Sequence, residues 1–481
     1  KNKLPWIVLI LILLVFIYLR VYRIEQTLNF QNDIGRDYLV LLEWLKSGKP
    51  PLLGPQNSAV PFNQSAVYFY LFFLFFVVSG MSFLTTFWTN LSIHLLVFVG
   101  GLSYLCRKNK IYSLWPILAT MWLVAIHPQW VIQHRYVWNP SLVLISIMVA
   151  FVSFIELRSK FSRSLVWLFA SSLSFSVAMN LSAVPVLILF LLAGMICFGR
   201  KGISLLMTTF VSGNIWFLPY WMFELRYDFQ IIKRVLGRQI LTLNPSALAW
   251  PVKWSAFERY LLGLENGNGW ILTFLLVVLC GAYGWRIFFY YKKNSLKQLS
   301  SGLLALSLLL LTLVISMLMP VPIESHYIFP VLGLLVFTIG YFPNRWLKIG
   351  LIIALSCQWL RIVQLEHYFQ PAPRTITQLD DCFRMVCQKE TEPIFVSVQS
   401  QYPYHSGPEF RYLMLKNGCQ MKHIETNPLD ASLMAVVADQ AEYHHDQTSY
   451  DELSLFGPAQ EKRVYSCTAN LQVHIIERLK E

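Results

Sequence analysis

Acidic side chains are scarce through most of this sequence. Residues 1–369 carry 29 Lys and Arg but only 11 Asp and Glu, and over all 481 residues 14% are charged while 56% are hydrophobic. That balance excludes an ordinary water-soluble chain. A Gly-rich phosphate loop is also missing. The nearest approach, Asn266-Gly267-Asn268-Gly269, has two glycines and does not join a strand to a helix, so it reads as a flexible outer loop. Cys106, Cys197, Cys280 and Cys357 stand singly in or beside apolar runs with no metal-ligand spacing, which fits small packing residues. The first apolar run follows Lys1 and Lys3 and lacks a small-residue cleavage site, so it is expected to persist as a first helix.

What the sequence has instead is long apolar runs, among them Trp6–Leu19, Phe83–Leu105, Leu303–Met319 and Leu347–Val363. Crossing a hydrocarbon core takes roughly 20 residues at about 1.5 Å rise each. The short basic loops are Arg107 to Lys110, Arg158 to Arg163, Arg200-Lys201, Lys292 to Lys297 and Arg345 to Lys348. Placing them all in the cytoplasm with the N-terminus predicts eleven spans: 4–20, 83–105, 111–127, 141–157, 165–179, 182–198, 203–222, 270–291, 301–319, 326–342 and 347–366. Ala66–Gly80, about 22 Å as a helix, falls below the hydrocarbon thickness and is expected in the interface or as a re-entrant segment from outside, with a short tilted span as the alternative. The fold expected is an all-α polytopic membrane protein, with long outer loops at 21–82 and 223–269.

The division at 369/370 comes from charge. The formal balance is +18 before it and −5 after it, where 10 Lys and Arg face 15 Asp and Glu. The overall +13 therefore belongs to the membrane part, where basic loops meet anionic lipid, and gives no reason to expect nucleic acid as a partner. Residues 370–481 are expected to form a soluble extracytoplasmic α/β domain. Ile394–Val398, Ala435–Ala438 and Val473–Ile476 read as strands, and Ile376–Val386 and Phe410–Asn417 as helices. Its four cysteines, Cys382, Cys387, Cys419 and Cys467, suit disulfides outside the cytoplasm, with three pairings open; zinc is the alternative.

On this topology nine of the eleven acids of the membrane part fall on outer loops and Glu366 at the outer end of the last helix, leaving Glu156 on the cytoplasmic side. A transporter is expected to carry ionisable groups along a path through the spans, whereas chemistry at the outer surface needs none there. The densest stretch is Phe30-Gln31-Asn32-Asp33-Ile34-Gly35-Arg36-Asp37-Tyr38, directly after the first helix. Asn32 or Asp33 is expected to cap a helix on which Asp33 and Asp37 share a face, with Arg36 beside Asp33.

An acid just past the first span, followed by Gly-Arg and Tyr, resembles the GT-C glycosyltransferases, specifically protein O-mannosyltransferases and lipid A aminoarabinose transferases. The resemblance continues through Leu53-Gly54-Pro55, the aromatic Tyr68-Phe69-Tyr70, His134-Arg135-Tyr136-Val137-Trp138-Asn139-Pro140, Leu218-Pro219-Tyr220 with Phe223-Glu224-Leu225-Arg226, and Glu324-Ser325-His326-Tyr327 with Pro330. Ile34 stands where the family often has a second acid, and Asn139 where relatives place an Asp. The resemblance implies a polyprenyl-phosphate-sugar donor, membrane lipid as a partner, and a lipid, glycan or protein acceptor. It requires no cofactor and allows a divalent metal. It also implies Asp33 as base with Asp37 as the second acid, Arg36, Arg135, His326 and Arg226 as donor-phosphate partners, and Tyr38, Tyr68, Tyr70, Asn139, Glu224 and Tyr327 as substrate-lining residues. A glycosyl phosphate carries its own leaving group, so the chemistry asks only for a base and for cations at the phosphate. The alternatives are an outer-face polymerase or ligase using a diphosphate-linked glycan, and a lipid-carrier flippase or transporter.

Overall fold

The computed structural model describes residues 3–28, 30–56, 62–107, 111–236, 249–264, 269–291, 301–365, 375–400, 407–439, 443, 451–468 and 470–479. Glu265, Asn266, Gly267, Asn268 and Glu366 lie outside them. The chain divides into two compact units. One comprises Lys1–Tyr22, Pro51–Leu71 and Phe87–Glu366; the other comprises Arg23–Pro50, Phe72–Thr86 and His367–Glu481. The C-terminal unit thus draws in the acid-bearing segment as well as the tail beyond the charge division.

The first unit is helical. Among the described residues five helices are long and apolar enough to cross a membrane: Leu4–Val21, Asn139–Ser159, Leu181–Phe198, Ser301–Leu318 and Arg345–Val363. The number rises to seven if two bent pairs count as spans, Leu114–Ile126 with Pro128–Arg135 (62°) and Arg200–Trp216 with Leu218–Arg226 (64°). Val67–Val78, Arg163–Met179, Trp270–Trp285 and Ser325–Gly340 are shorter apolar helices. On Leu4–Val21 the side chains of Leu4, Ile7, Leu11, Leu14 and Tyr18 are exposed while Leu9, Ile12, Phe16 and Leu19 are buried. An exposed apolar stripe of this length is costly in water and at home in lipid. Phe329–Gly340 is buried at every residue, packed by Ser301–Leu318, Ile111–Ile126 and Val143–Ser159, so it can be apolar all round. Cys197, Cys280 and Cys357 are free and exposed, not packed inside as expected.

After the first helices of the chain, β1 (Leu53–Gln56) and β2 (Asn63–Ser65) form a small antiparallel hairpin. Gly54 is required there, because a Cβ would come within 2.3 Å of the Ser65 carbonyl oxygen.

The tail carries a mixed sheet in the order β3 (Ile394–Ser400), β4 (Leu433–Asp439), β6 (Leu471–Arg478), β5 (Ala459–Thr468), with β3 parallel to β4 and the other pairs antiparallel. β3, β4 and β6 are the three apolar runs expected as strands. β5 escapes the apolar pattern because it is an edge strand whose residues Gln460–Val464 are exposed. Helix Ile376–Lys389 begins at a capping box in which Thr375 and Gln378 satisfy each other's backbone N–H. It packs against Pro408–Lys416 and β5. The cysteines pair as Cys382–Cys467 and Cys387–Cys419, so all four are committed to disulfides.

Candidate functional site

In the C-terminal unit the acid-bearing helix runs Asn32–Ser47. Its N-cap is Gln31, extended and without a side-chain capping bond. Neither Asn32 nor Asp33 caps the helix; both lie in its first turn, where the positive end of the helix dipole favours a carboxylate. The Arg36 guanidinium spans both acids. Nη1 donates to Asp33 Oδ1 at 2.8 Å, while Nε and Nη2 donate to Asp37 Oδ1 at 3.0 and 2.8 Å. The Asp33 side chain is 35% exposed and that of Asp37 only 2%. Asp33 is therefore the acid a substrate can reach, and Asp37 anchors the guanidinium. Arg36, expected at a donor phosphate, is instead engaged by two carboxylates and positions them.

Two further residues of the motif turn out to be packing residues. Gly35 allows the close approach of the tail helix Pro408–Lys416, since a Cβ would stand 2.3 Å from the Glu409 backbone. Tyr38, expected to line substrate, is fully buried with its ring against Phe30, Phe76 and Tyr412. Its hydroxyl donates to the Phe83 carbonyl at 3.0 Å and lies 3.2 Å from Thr86 Oγ1. Burial pushes that hydroxyl's pKa up to about 12.

In the helical unit, sequence-distant segments of the motif meet. Tyr68 donates to the Val137 carbonyl at 3.4 Å, and the Asn139 amide donates to the Met179 carbonyl at 2.6 Å and to Gln64 Oε1. The Trp138 ring lies 4.6 Å from His326, whose other face is 4.1 Å from Tyr327, and the Phe62 ring lies 5.0 Å from Tyr220. Tyr70 donates to the Pro51 carbonyl at 2.7 Å. The hairpin, the second-loop motif, the late His-Tyr pair and helix Leu218–Arg226 are thereby linked. His326, Tyr327 and Tyr70 are half-buried and able to face a ligand. Tyr68 and Asn139 are buried and serve as internal ties, not as the substrate-lining groups expected. Glu224 is fully enclosed, with the Tyr220 hydroxyl beside its carboxylate.

Two expected phosphate ligands are placed otherwise. Arg135 is buried and donates through Nη2 to the carbonyls of Leu19 (3.2 Å) and Tyr22 (2.8 Å), closing the C-terminal end of the first helix. Arg226 is exposed in the last turn of its helix, 5.6 Å from the Tyr227 ring, and reads as a solvated helix-end cation.

Sequence reasoning weighed the acids of the spans and passed over the bases. Arg20, His94 and His134 are fully buried in the helical unit. The signal was present: Arg20 ends an 18-residue apolar helix and His94 interrupts the apolar run Phe83–Leu105. Among the described residues no group of three or more His, Cys, Asp or Glu could hold a metal ion. No known protein family's sequence profile matches the chain, and no curated protein matches it.

Proposed function

We propose that the chain is a membrane glycosyltransferase of the GT-C kind, with about eleven spans, that moves a sugar from a polyprenyl-phosphate carrier to an acceptor on the extracytoplasmic face. The observation that carries this reading is the meeting, within one helical unit, of segments far apart in sequence that resemble that family: Tyr68 with Val137, Gln64 with Asn139, and Trp138 with His326. Trp138 and His326 are half-buried, while Tyr68, Gln64 and Asn139 tie the segments together from inside. A helix begins or continues in each of the eleven expected spans.

In this reading Asp33 takes the proton of the attacking hydroxyl or amine. Arg36 holds that carboxylate in place through its Nη1. Asp37, buried against the same guanidinium, fixes the orientation of Arg36.

The test is incubation of the purified protein with labelled polyprenyl-phosphate sugars and a panel of lipid, glycan and protein acceptors. Label passing to an acceptor with release of polyprenyl phosphate supports the reading. The buried Arg20, His94 and His134 favour a second reading, a lipid-carrier flippase or transporter, because such proteins carry ionisable groups inside the helical bundle. Movement of intact donor across a bilayer without transfer would select it.

A further inference from the structure

Arg20 is a buried cation without an anion. Its Nη1 donates to the carbonyls of Phe16 (3.1 Å) and Ala125 (2.7 Å), and its guanidinium carbon lies 3.8 Å from the centre of the Phe16 ring. Nε and Nη2 have no hydrogen-bond partner. Among the described residues no carboxylate pairs with it, and the nearby Arg135 adds a like charge.

Two imidazoles complete the cluster. The rings of His94 and His134 are 4.2 Å apart, and Phe16 lies within 6.4 Å of both. Each ring uses Nδ1 toward the backbone, at Asn90 O (2.8 Å) and Trp130 O (2.9 Å), which leaves Nε2 of both without a partner. These side chains come from Leu4–Val21, Thr85–Arg107 and Pro128–Arg135, the last being the second half of a span bent by 62°.

Leaving a buried donor unpaired opposes folding, and an unneutralised buried charge opposes it more. Here two donors of one guanidinium and two imidazole nitrogens are unpaired in the same place. Helix-end carbonyls account for Nη1 alone. With Nδ1–H given to a carbonyl, each Nε2 of a neutral ring is an acceptor, so the donors that lack a partner are Nε–H and Nη2–H of Arg20, and the missing partner is an acceptor with negative charge.

We propose that Arg20, His94 and His134 form an anion-binding site of the helical unit that takes a phosphate group, presented by a prenyl or other lipid phosphate or as the free ion. Phosphate matches these groups, because its oxygens accept from the fork of an Arg while the P–OH of its monoanion donates to a neutral imidazole Nε2. The inference does not depend on sugar transfer, and a protein that fails every transfer assay can still bind the anion.

The experiment uses the purified full-length protein in detergent, in gluconate buffer, with inorganic phosphate, farnesyl phosphate or farnesol added. Thermal unfolding and equilibrium dialysis of labelled probe are the readouts. Both phosphates should bind and raise the Tm, and farnesol should do neither. Farnesyl phosphate acting at far lower concentration assigns the site to a lipid phosphate; equal potency assigns it to the free ion. Arg20→Met should abolish the response, and His94→Gln and His134→Gln should each weaken binding about tenfold, the scale of one charge-assisted hydrogen bond. Should Arg20→Met fail to fold, the two His variants carry the comparison. The proposal is overturned if the parent protein binds neither phosphate, or if the response survives unchanged in the variants.

Discussion

The two units handle buried charge in opposite ways. In the C-terminal unit Asp33, Asp37, Asp380 and Glu390 are each given a cation. Arg36 serves Asp33 and Asp37; Asp380 accepts from Arg384, Lys416 and Asn417 at 3.0, 3.1 and 2.8 Å; Glu390 accepts from Arg463 and Tyr465 at 3.0 and 2.6 Å. In the helical unit Arg20, His94 and His134 are buried with no acid beside them, and Glu224 is buried with no hydrogen-bonded cation. Paired charges half-open to water contribute modestly and keep a surface ordered. Unpaired charges enclosed among apolar side chains oppose folding, so their presence points to ligands.

Stability measurements can sharpen this contrast. The largest effect is expected from the tail's disulfides: replacing Cys382 and Cys467 by Ser should cost about 2–5 kcal/mol, read as a fall in the unfolding temperature of the C-terminal unit. Next is Gly35→Ala, which drives a methyl into the Glu409 backbone and should cost about 1–3 kcal/mol by overpacking. A neutral result there would mean that helices Asn32–Ser47 and Pro408–Lys416 are not held as closely as described. In the helical unit, Asn139→Ala removes a donor from the Met179 carbonyl and from Gln64, for about 1–2 kcal/mol in denaturant unfolding.

The smallest effect at neutral pH belongs to Tyr38→Phe, about 0.5–1.5 kcal/mol. Its pH dependence is more telling. The hydroxyl's folded pKa of about 12 lies above its ordinary value of 10.0, so its contribution is complete below pH 10 and is lost as the pH rises from 10 to 12. Over that window the parent should lose about 2–3 kcal/mol that the Phe variant does not, as two pKa units correspond to about 2.7 kcal/mol.

Much of the fold was legible because apolar runs and period-two alternation report burial directly. The first helix, strands β3, β4 and β6, and helix Ile376–Lys389 all carry that signal. β5 did not, because an exposed edge strand such as Gln460–Val464 reads as a polar loop. The pairing of Asp33 with Arg36 was legible from i, i+3 spacing and the shared face of Asp33 and Asp37 from i, i+4, whereas the bond from Arg36 to the adjacent Asp37 was not. The true N-cap was not, since Gln31 caps through its backbone alone. Nor was the role of Arg135: whether a guanidinium faces a ligand or closes a neighbouring helix depends on contacts more than 100 residues away in sequence. Burial of Tyr38 and Asn139 is equally non-local. A motif resemblance marks positions and is silent on which way their side chains turn.

The central claim is that the exposed acid of the Asn32–Ser47 helix does the chemistry and the buried one holds it in place. Turnover of a labelled polyprenyl-phosphate sugar by Asp33→Asn, beside the parent and Asp37→Asn, tests that most directly. The account predicts that Asp33→Asn keeps the parent's unfolding temperature and donor affinity while losing about 10²–10⁴ in rate, the contribution of a positioned base. Near-parent transfer by Asp33→Asn, with Asp37→Asn inactive at unchanged stability, would contradict it and move the base one helical turn along the chain.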